Sequence, residues 1–267
     1  MNRKMSLLVI SCEKFSDLWD GHVKLLEQNW PDRDMMTYIV TDAPTTKSYP
    51  GIHIISAGVD LEWTERLAYA LKQVDAEYIF ITLDDYFLIK KVDNKRILEL
   101  ITMMEQEGFD YVRLFKRPKK STLNEVERHK RVFHVNIKET YSVNLYAGIW
   151  KKKFLESTLK KTKNIWQYEV SLFLRAQEYG AKCAVSFRNE FKILDVVRKG
   201  KLLHSAARFF KDNPGIYNGN REINSWEYEI KLSIQTFVGR HMPKWIRKRI
   251  KAFMVSRGHQ YFRDQAE

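Results

Sequence analysis

Two adjacent carboxylates, Asp84 and Asp85, follow the apolar run Tyr78-Ile79-Phe80-Ile81-Thr82-Leu83 and precede Tyr86-Phe87-Leu88. Neighbouring carboxylates at the end of a buried strand repel each other and lose hydration, so a divalent cation or a set of donors must compensate. Hard oxygen ligands suit Mg²⁺ or Mn²⁺, which keep water and phosphate oxygens in their shells. The alternative is a turn-forming or capping acidic pair with no ligand. The stretch Val197-Arg198-Lys199-Gly200-Lys201-Leu202-Leu203-His204 is basic, contains a glycine and follows a strand, a composition suited to closing over a diphosphate. His204 is a candidate third metal ligand, its alternative being a packed or surface imidazole. The two cysteines, Cys12 and Cys183, provide no disulfide framework, and no His-x-x-His or cysteine cluster supports a zinc site.

The elements that must position these residues alternate in period. Met5 to Ser11 is a continuous apolar run, as expected of a strand buried on both faces. A helix follows, with Leu18, Leu25 and Leu26 on one stripe and Pro31 beyond its end. Strands are expected at Met35 to Thr41, Gly51 to Ser56, Glu77 to Leu83 and Phe109 to Phe115, and helices over Trp63 to Val74 and Asp93 to Gln106. This rhythm predicts parallel crossovers, hence a layered α/β sheet whose ligands sit beyond the carboxyl ends of its strands. Ser11-Cys12, Thr41-Asp42 and Asp84-Asp85 are such ends.

After Phe115 the rhythm breaks. The charged stretch 116–131, which contains Pro118, reads as a mobile loop or lid with room for one helical turn. Strands are expected at 132–136, 141–150, 181–187 and 191–197, helices at 151–159 and 166–179, and irregular chain from His204 to Gly219. The expected organisation is one body over 1–215, halved at 115, with a basic helical appendage over 216–267.

The chain has 267 residues, 44% hydrophobic and 13% aromatic, which excludes global disorder. Lys and Arg outnumber Asp and Glu by 46 to 33, a formal charge of +13 that suits nucleic acid, an anionic membrane face or phosphorylated ligands. No run approaches the roughly 20 apolar residues of a membrane span, and the short run after Met1-Asn2-Arg3-Lys4 reads as the first strand rather than a secretory signal. Zinc-finger spacing, an RNA-recognition aromatic motif and a basic zipper are all missing from the sequence, so no nucleic-acid partner is expected.

Leu61-Glu62-Trp63-Thr64-Glu65-Arg66, Ala70-Leu71, Glu77-Tyr78-Ile79 and Leu83-Asp84-Asp85-Tyr86 together resemble the nucleotide-sugar half of GT-A glycosyltransferases, in particular bacterial enzymes that build capsule or lipopolysaccharide. Asn144 to Leu155 and Trp166-Gln167-Tyr168-Glu169 are similar to the acceptor half of the same enzymes. The acidic motif departs from that family's pattern, being Leu-Asp-Asp-Tyr rather than Asp-x-Asp. The resemblance implies a GT-A-like (Rossmann-like), mixed and mainly parallel sheet flanked by helices. It also implies a transferase of the hexosyltransferase type, moving a sugar from a nucleotide-diphosphate sugar to a glycan or lipid-linked glycan in surface polysaccharide synthesis. Asp42 would then accept hydrogen bonds from the base, Ser11 and Cys12 would line its pocket, and Arg66 would reach a phosphate or the donor sugar, unless it pairs with Glu62 or Asp60. Asp85 would meet Mn²⁺ or Mg²⁺, and Asp84 would share that ion or bind hydroxyls. Glu169 would be the base of an inverting displacement, its carboxyl raised by Trp166 and Tyr168, or else a capping residue behind Asn164.

Pro243 to Ser256 is an amphipathic stretch with Trp245, Ile246, Ile250, Phe253 and Met254 on one side and Arg247, Lys248 and Lys251 opposite. It suits an anionic bilayer surface, or a helix docked on the domain. The corresponding location is cytoplasmic, peripheral on the inner face of the membrane. The competing functions are a non-catalytic basic module that binds nucleic acid or membrane, and a nucleotidyltransferase, which would need a glycine-rich loop after the first strand; Ser11 to Phe15 contains no glycine.

Overall fold

The computed structural model describes residues 4–241 together with Arg249 and Ser256. The expected helix over 243–256 therefore lies outside the described residues. The chain is a mixed α/β fold built on one nine-stranded sheet. Its strands are β1 (Met5–Ile10), β2 (Met36–Thr41), β3 (Ile52–Ser56), β4 (Tyr78–Leu83), β6 (Tyr111–Arg113), β7 (Thr122–Glu125), β8 (Val132–Val135), β9 (Gly148–Lys151) and β10 (Cys183–Ser186), in the spatial order β3-β2-β1-β4-β9-β6-β10-β8-β7. The pairings of β3, β2, β1 and β4 are parallel, as is that of β6 with β10. Only β9 and β8 run against the rest, so the sheet is mainly parallel.

Helices cover both faces. They are α1 (Trp19–Asn29), α2 (Trp63–Gln73), α3 (Asn94–Glu107), α4 (Lys152–Thr158) and α5 (Ile165–Tyr179). Alternation along the strands divides the core between the two faces. Leu8, Ile10, Ile79 and Ile81 pack with Leu67 and Leu71 of α2, Phe154 of α4 and Leu172 of α5. Met5, Leu7 and Phe80 face Leu26 of α1, Trp30 just beyond it, and Ile97, Leu100 and Met104 of α3. Both sides of β1 are thus covered, which is why all of its residues but Ser6 are apolar.

A smaller assembly sits beside the end of β4. There β5 (Tyr86–Leu88) pairs antiparallel with β11 (Ile193–Asp195), and β12 (Val197–Arg198) turns back into β13 (Lys201–Leu202). Lys199 and Gly200 form that turn at φ 51° and 79°, the two left-handed residues of a tight hairpin turn. Leu18, Leu25, Phe87, Val196, Leu202, Ala206 and Ile216 make its own small core. The approach is close: a Cβ on Gly21 of α1 would lie 2.0 Å from the Ile216 carbonyl oxygen.

Three expectations are corrected. Residues 204–212 form α6 (His204–Asp212) rather than irregular chain, because Ala206, Phe209 and Phe210 recur at i, i+3 and i+4 and pack on the small core. The stretch 116–131 has the one helical turn allowed for it, a short 3-10 helix (Lys119–Ser121), but it also contains the unexpected strand β7, which closes the sheet edge against β8. Of the strand expected over 141–150, only its end is β9; Val143 and Leu145 are buried in the core without strand pairing. A last helix, α7 (Trp226–His241), completes the described chain.

Candidate active site

The chain turns sharply at Asp84-Asp85, and the two carboxylates part company there. Asp84 is 7% exposed and accepts a hydrogen bond from Ser11 Oγ, which itself accepts one from Trp19 Nε1 at 2.6 Å. Burial, then the charge of Asp85, pushes the Asp84 carboxyl well above the usual range, against the Ser11 bond. From below, His22 Nδ1 donates to the Asp84 carbonyl at 3.2 Å. Ser11 and Asp84 therefore lock two strand ends together, and their polar atoms are largely occupied.

Asp85 faces a different set of groups. Its backbone carbonyl accepts from Val196 N at 3.0 Å, which aligns it with the adjoining strand carrying Asp195. Burial and the neighbouring charge of Asp195 raise the Asp85 carboxyl to about 7, opposed by Arg198. Burial raises Asp195 to about 6, again opposed by Arg198, whose guanidinium donates to Asp195 Oδ2. Burial opposes the charge on Arg198, but Asp195, with Tyr86, Asp85 and Tyr146, more than restores it. Asp85 Oδ1 and Asp195 Oδ1 are both buried and accept no hydrogen bond. Two such oxygens carry a standing desolvation cost that a cation or a donor-rich ligand would relieve.

Glu169 belongs to the same neighbourhood. Burial raises its carboxyl, offset by the Leu145 N–H, which it accepts at 3.4 Å, and by Arg198. It caps nothing: the cap of α5 is Asn164, accepting from Gln167 N at 3.0 Å. Nor do the expected walls enclose it, since Trp166 is 56% exposed and Tyr168 is buried against Thr158 and Trp63. Tyr146, stacked between Tyr86 and Phe115 at centroid distances of 5.3 and 4.1 Å, feels Arg198, Asp195 and Glu169. Asp85, Tyr86, Tyr146, Glu169, Asp195 and Arg198 thus form one electrostatic cluster.

The β1 and β2 ends make a separate group. Asp42 accepts from Glu13 N at 2.7 Å and pairs with Arg66 at 3.4 Å. Arg66 is therefore not the partner of Glu62 or Asp60; Glu62 and Glu65 form the capping box of α2 instead. Nε and Nη1 of Arg66 are buried without hydrogen bonds. Cys12 is half-buried at this end, its thiol raised by burial and then by Asp84 and Asp42.

His204 is turned to Glu229, whose Oε1 lies 2.8 Å from its Nδ1, and its ring stacks on Trp226 at 3.6 Å. Among the described residues no group of three His, Cys, Asp or Glu side chains is gathered to hold a metal. The orphaned oxygens of Asp85 and Asp195 fit a divalent cation whose remaining positions are filled by water and ligand oxygens.

Sequence reasoning left two members out. Asp195 looks isolated until β11 pairs with β5. Arg221 clamps Asp17 through Nε at 2.7 Å and Nη2 at 2.6 Å, donates to the Gly200 and Lys14 carbonyls at 3.1 and 2.8 Å, and lies 4.5 Å over the Phe15 ring. It ties the residues after β1 to the β12–β13 turn. The proximity of Arg198 to Asp85, Glu169 and Asp195 gives no local sequence signal beyond the basic run already noted.

No protein-family model matches the sequence. No curated protein matches it either. Solved structures that align with it include S. aureus TarS residues 1–349 in complex with UDP-GlcNAc (12% identity over 74% of this chain and 60% of that one, TM-score 0.47). They also include the bifunctional IspDF of Campylobacter jejuni (18%, 72% and 52%, TM-score 0.43) and a UDP-glucose pyrophosphorylase complexed with UDP-glucose (10%, 72% and 91%, TM-score 0.43). The chain spans between 36% and 60% of the length of the TarS chains it aligns with.

Proposed function

We propose that this chain is a glycosyltransferase of the hexosyltransferase type, transferring a sugar from a nucleotide-diphosphate sugar to a glycan hydroxyl with inversion. The observation that supports this reading best is the pair of orphaned carboxylate oxygens, Asp85 Oδ1 and Asp195 Oδ1, beside Arg198 and Glu169 at the end of a central parallel strand. In this reading Asp85 and Asp195 hold Mn²⁺ or Mg²⁺, which when bound supplies positive charge to the departing diphosphate. Arg198 adds a second cation on the same side. Glu169 takes the proton of the acceptor hydroxyl as the new C–O bond forms and the anomeric carbon–phosphate oxygen bond breaks. Its raised carboxyl suits that role. Asp42 with Arg66, and Ser11 with Cys12, form the floor on which the nucleotide rests. A bacterial surface glycan, carried on a lipid at the inner face of the membrane, is the acceptor class proposed.

The test is a thermal-shift series of nucleoside diphosphates with and without Mn²⁺, on the wild type and Asp85→Asn. Saturation at about 100 times Kd stabilises by about 2.7 kcal/mol. One nucleotide should raise the melting temperature in a Mn²⁺-dependent way, and Asp85→Asn should abolish the Mn²⁺ increment. A series in which no nucleotide moves the wild-type melting temperature removes the proposal.

A further inference from the structure

Away from the Asp85 cluster, α3, the turn joining β7 to β8 and the residues following β10 bound a cleft of about 510 Å³. Its lining includes five cationic side chains, Lys95, Arg96, Arg128, Lys130 and Arg188, against one carboxylate, Glu99. That carboxylate is already taken: Glu99 pairs with Arg96 at 3.1 Å, and Glu190 approaches the same guanidinium at 3.4 Å. Arg96 is 8% exposed, and its Nη2 has no hydrogen-bond partner.

The other four cations are exposed, and none of them takes part in an ion pair among the described residues. They come from three separate elements, so the fold converges them on one cleft instead of spreading them along a solvated helix face. Four like charges sharing a cleft repel one another, and an anionic occupant reverses that cost. Guanidinium forks and ammonium groups match phosphate oxygens in geometry and charge. The volume exceeds that of one phosphate and leaves room for several in succession. None of the lining residues is Phe, Tyr or Trp, so the platform on which single-stranded nucleic acids stack their bases is missing from the lining.

We propose that this cleft binds a chain bearing successive phosphate groups and not a nucleic acid. The site stands on its own residues and does not depend on the transferase reading, because none of its cations belongs to the Asp85 cluster.

The test is titration of the full chain with long-chain inorganic polyphosphate, and with poly(dT) of matched charge, over a range of salt concentrations. Polyphosphate should bind in a salt-dependent manner. Lys130→Glu/Arg188→Glu should weaken binding by about tenfold or more and flatten the salt dependence, while Lys72→Gln, an exposed cation of α2 outside the cleft, should leave the affinity unchanged. If the reversed charges disturb folding, as judged by circular dichroism, Lys95→Gln/Arg188→Gln takes their place with the same expected direction. Unchanged affinity in the folded cleft variant, loss of binding in Lys72→Gln, or markedly tighter binding of poly(dT) would each overturn the proposal.

Discussion

His22 provides the sharpest test of how the carboxylate turn is held. It lies in α1 beneath the turn, 3% exposed, donating to the Asp84 carbonyl at 3.2 Å and meeting Phe87 edge-on at 5.9 Å. Burial, only partly offset by that hydrogen bond, pushes its pKa down from 6.5 to about 4. Below pH 6.5 the unfolded chain takes up a proton that the folded chain refuses until about pH 4. Stability is therefore fully present above 6.5 and drains away as the pH falls through this window. At about 1.4 kcal/mol per pH unit the loss is about 2 kcal/mol by pH 5. His22→Gln keeps an N–H directed at the carbonyl but cannot be protonated, at a cost of about 1 to 2 kcal/mol for imperfect geometry. The wild type should thus be the more stable protein at pH 7.5, with the advantage gone or reversed at pH 5. Urea unfolding of both proteins at pH 7.5, 6 and 5 reads this difference, and the other titrating groups cancel in the comparison. Parallel stability curves for the two proteins would refute the reasoning.

Other outcomes follow from the same contacts. Glu169→Gln should lower kcat by about 10²- to 10⁴-fold while leaving KM for the donor near its wild-type value; steady-state kinetics with the nucleotide identified by thermal shift will show whether it does. Gly21→Ala drives a methyl into the Ile216 carbonyl at 2.0 Å and should cost about 1 to 3 kcal/mol, seen as a lowered urea midpoint. Arg221→Ala strips Asp17 of both its guanidinium bonds and should cost about 2 to 4 kcal/mol, discounted from the fully buried case because Asp17 is partly exposed. Limited proteolysis of that variant should cut first near the β12–β13 turn.

The parallel half of the sheet was legible because burial on both faces writes itself as predominantly apolar runs. Met5 to Ser11 and Glu77 to Leu83 each predicted a strand that the structure contains within a residue of its expected ends. The site was legible in part. Asp85 stands out by composition, whereas Asp195 acquires meaning only through an antiparallel ladder that sets it opposite Tyr86. Nothing local in Ile193-Leu194-Asp195 announces that partner. The helix at 204–212 went unread because its apolar face is short, three residues among polar ones, and its partner is the small core rather than the main sheet. Arg66 was open between neighbours on its own segment and a ligand; the fold supplied Asp42, from another strand end, as its partner.

The reach of Arg221 has a consequence for the order in which the rim is completed. Its guanidinium closes on Asp17 across 204 positions of chain, after every strand of the large sheet has been laid down. A polypeptide clipped between 213 and 220 would retain the sheet and the acidic turn but loosen the tie between the residues after β1 and the β12–β13 turn. Nicking in that short interval offers a means of unfastening the β12–β13 turn from the residues after β1 while the foundations remain standing.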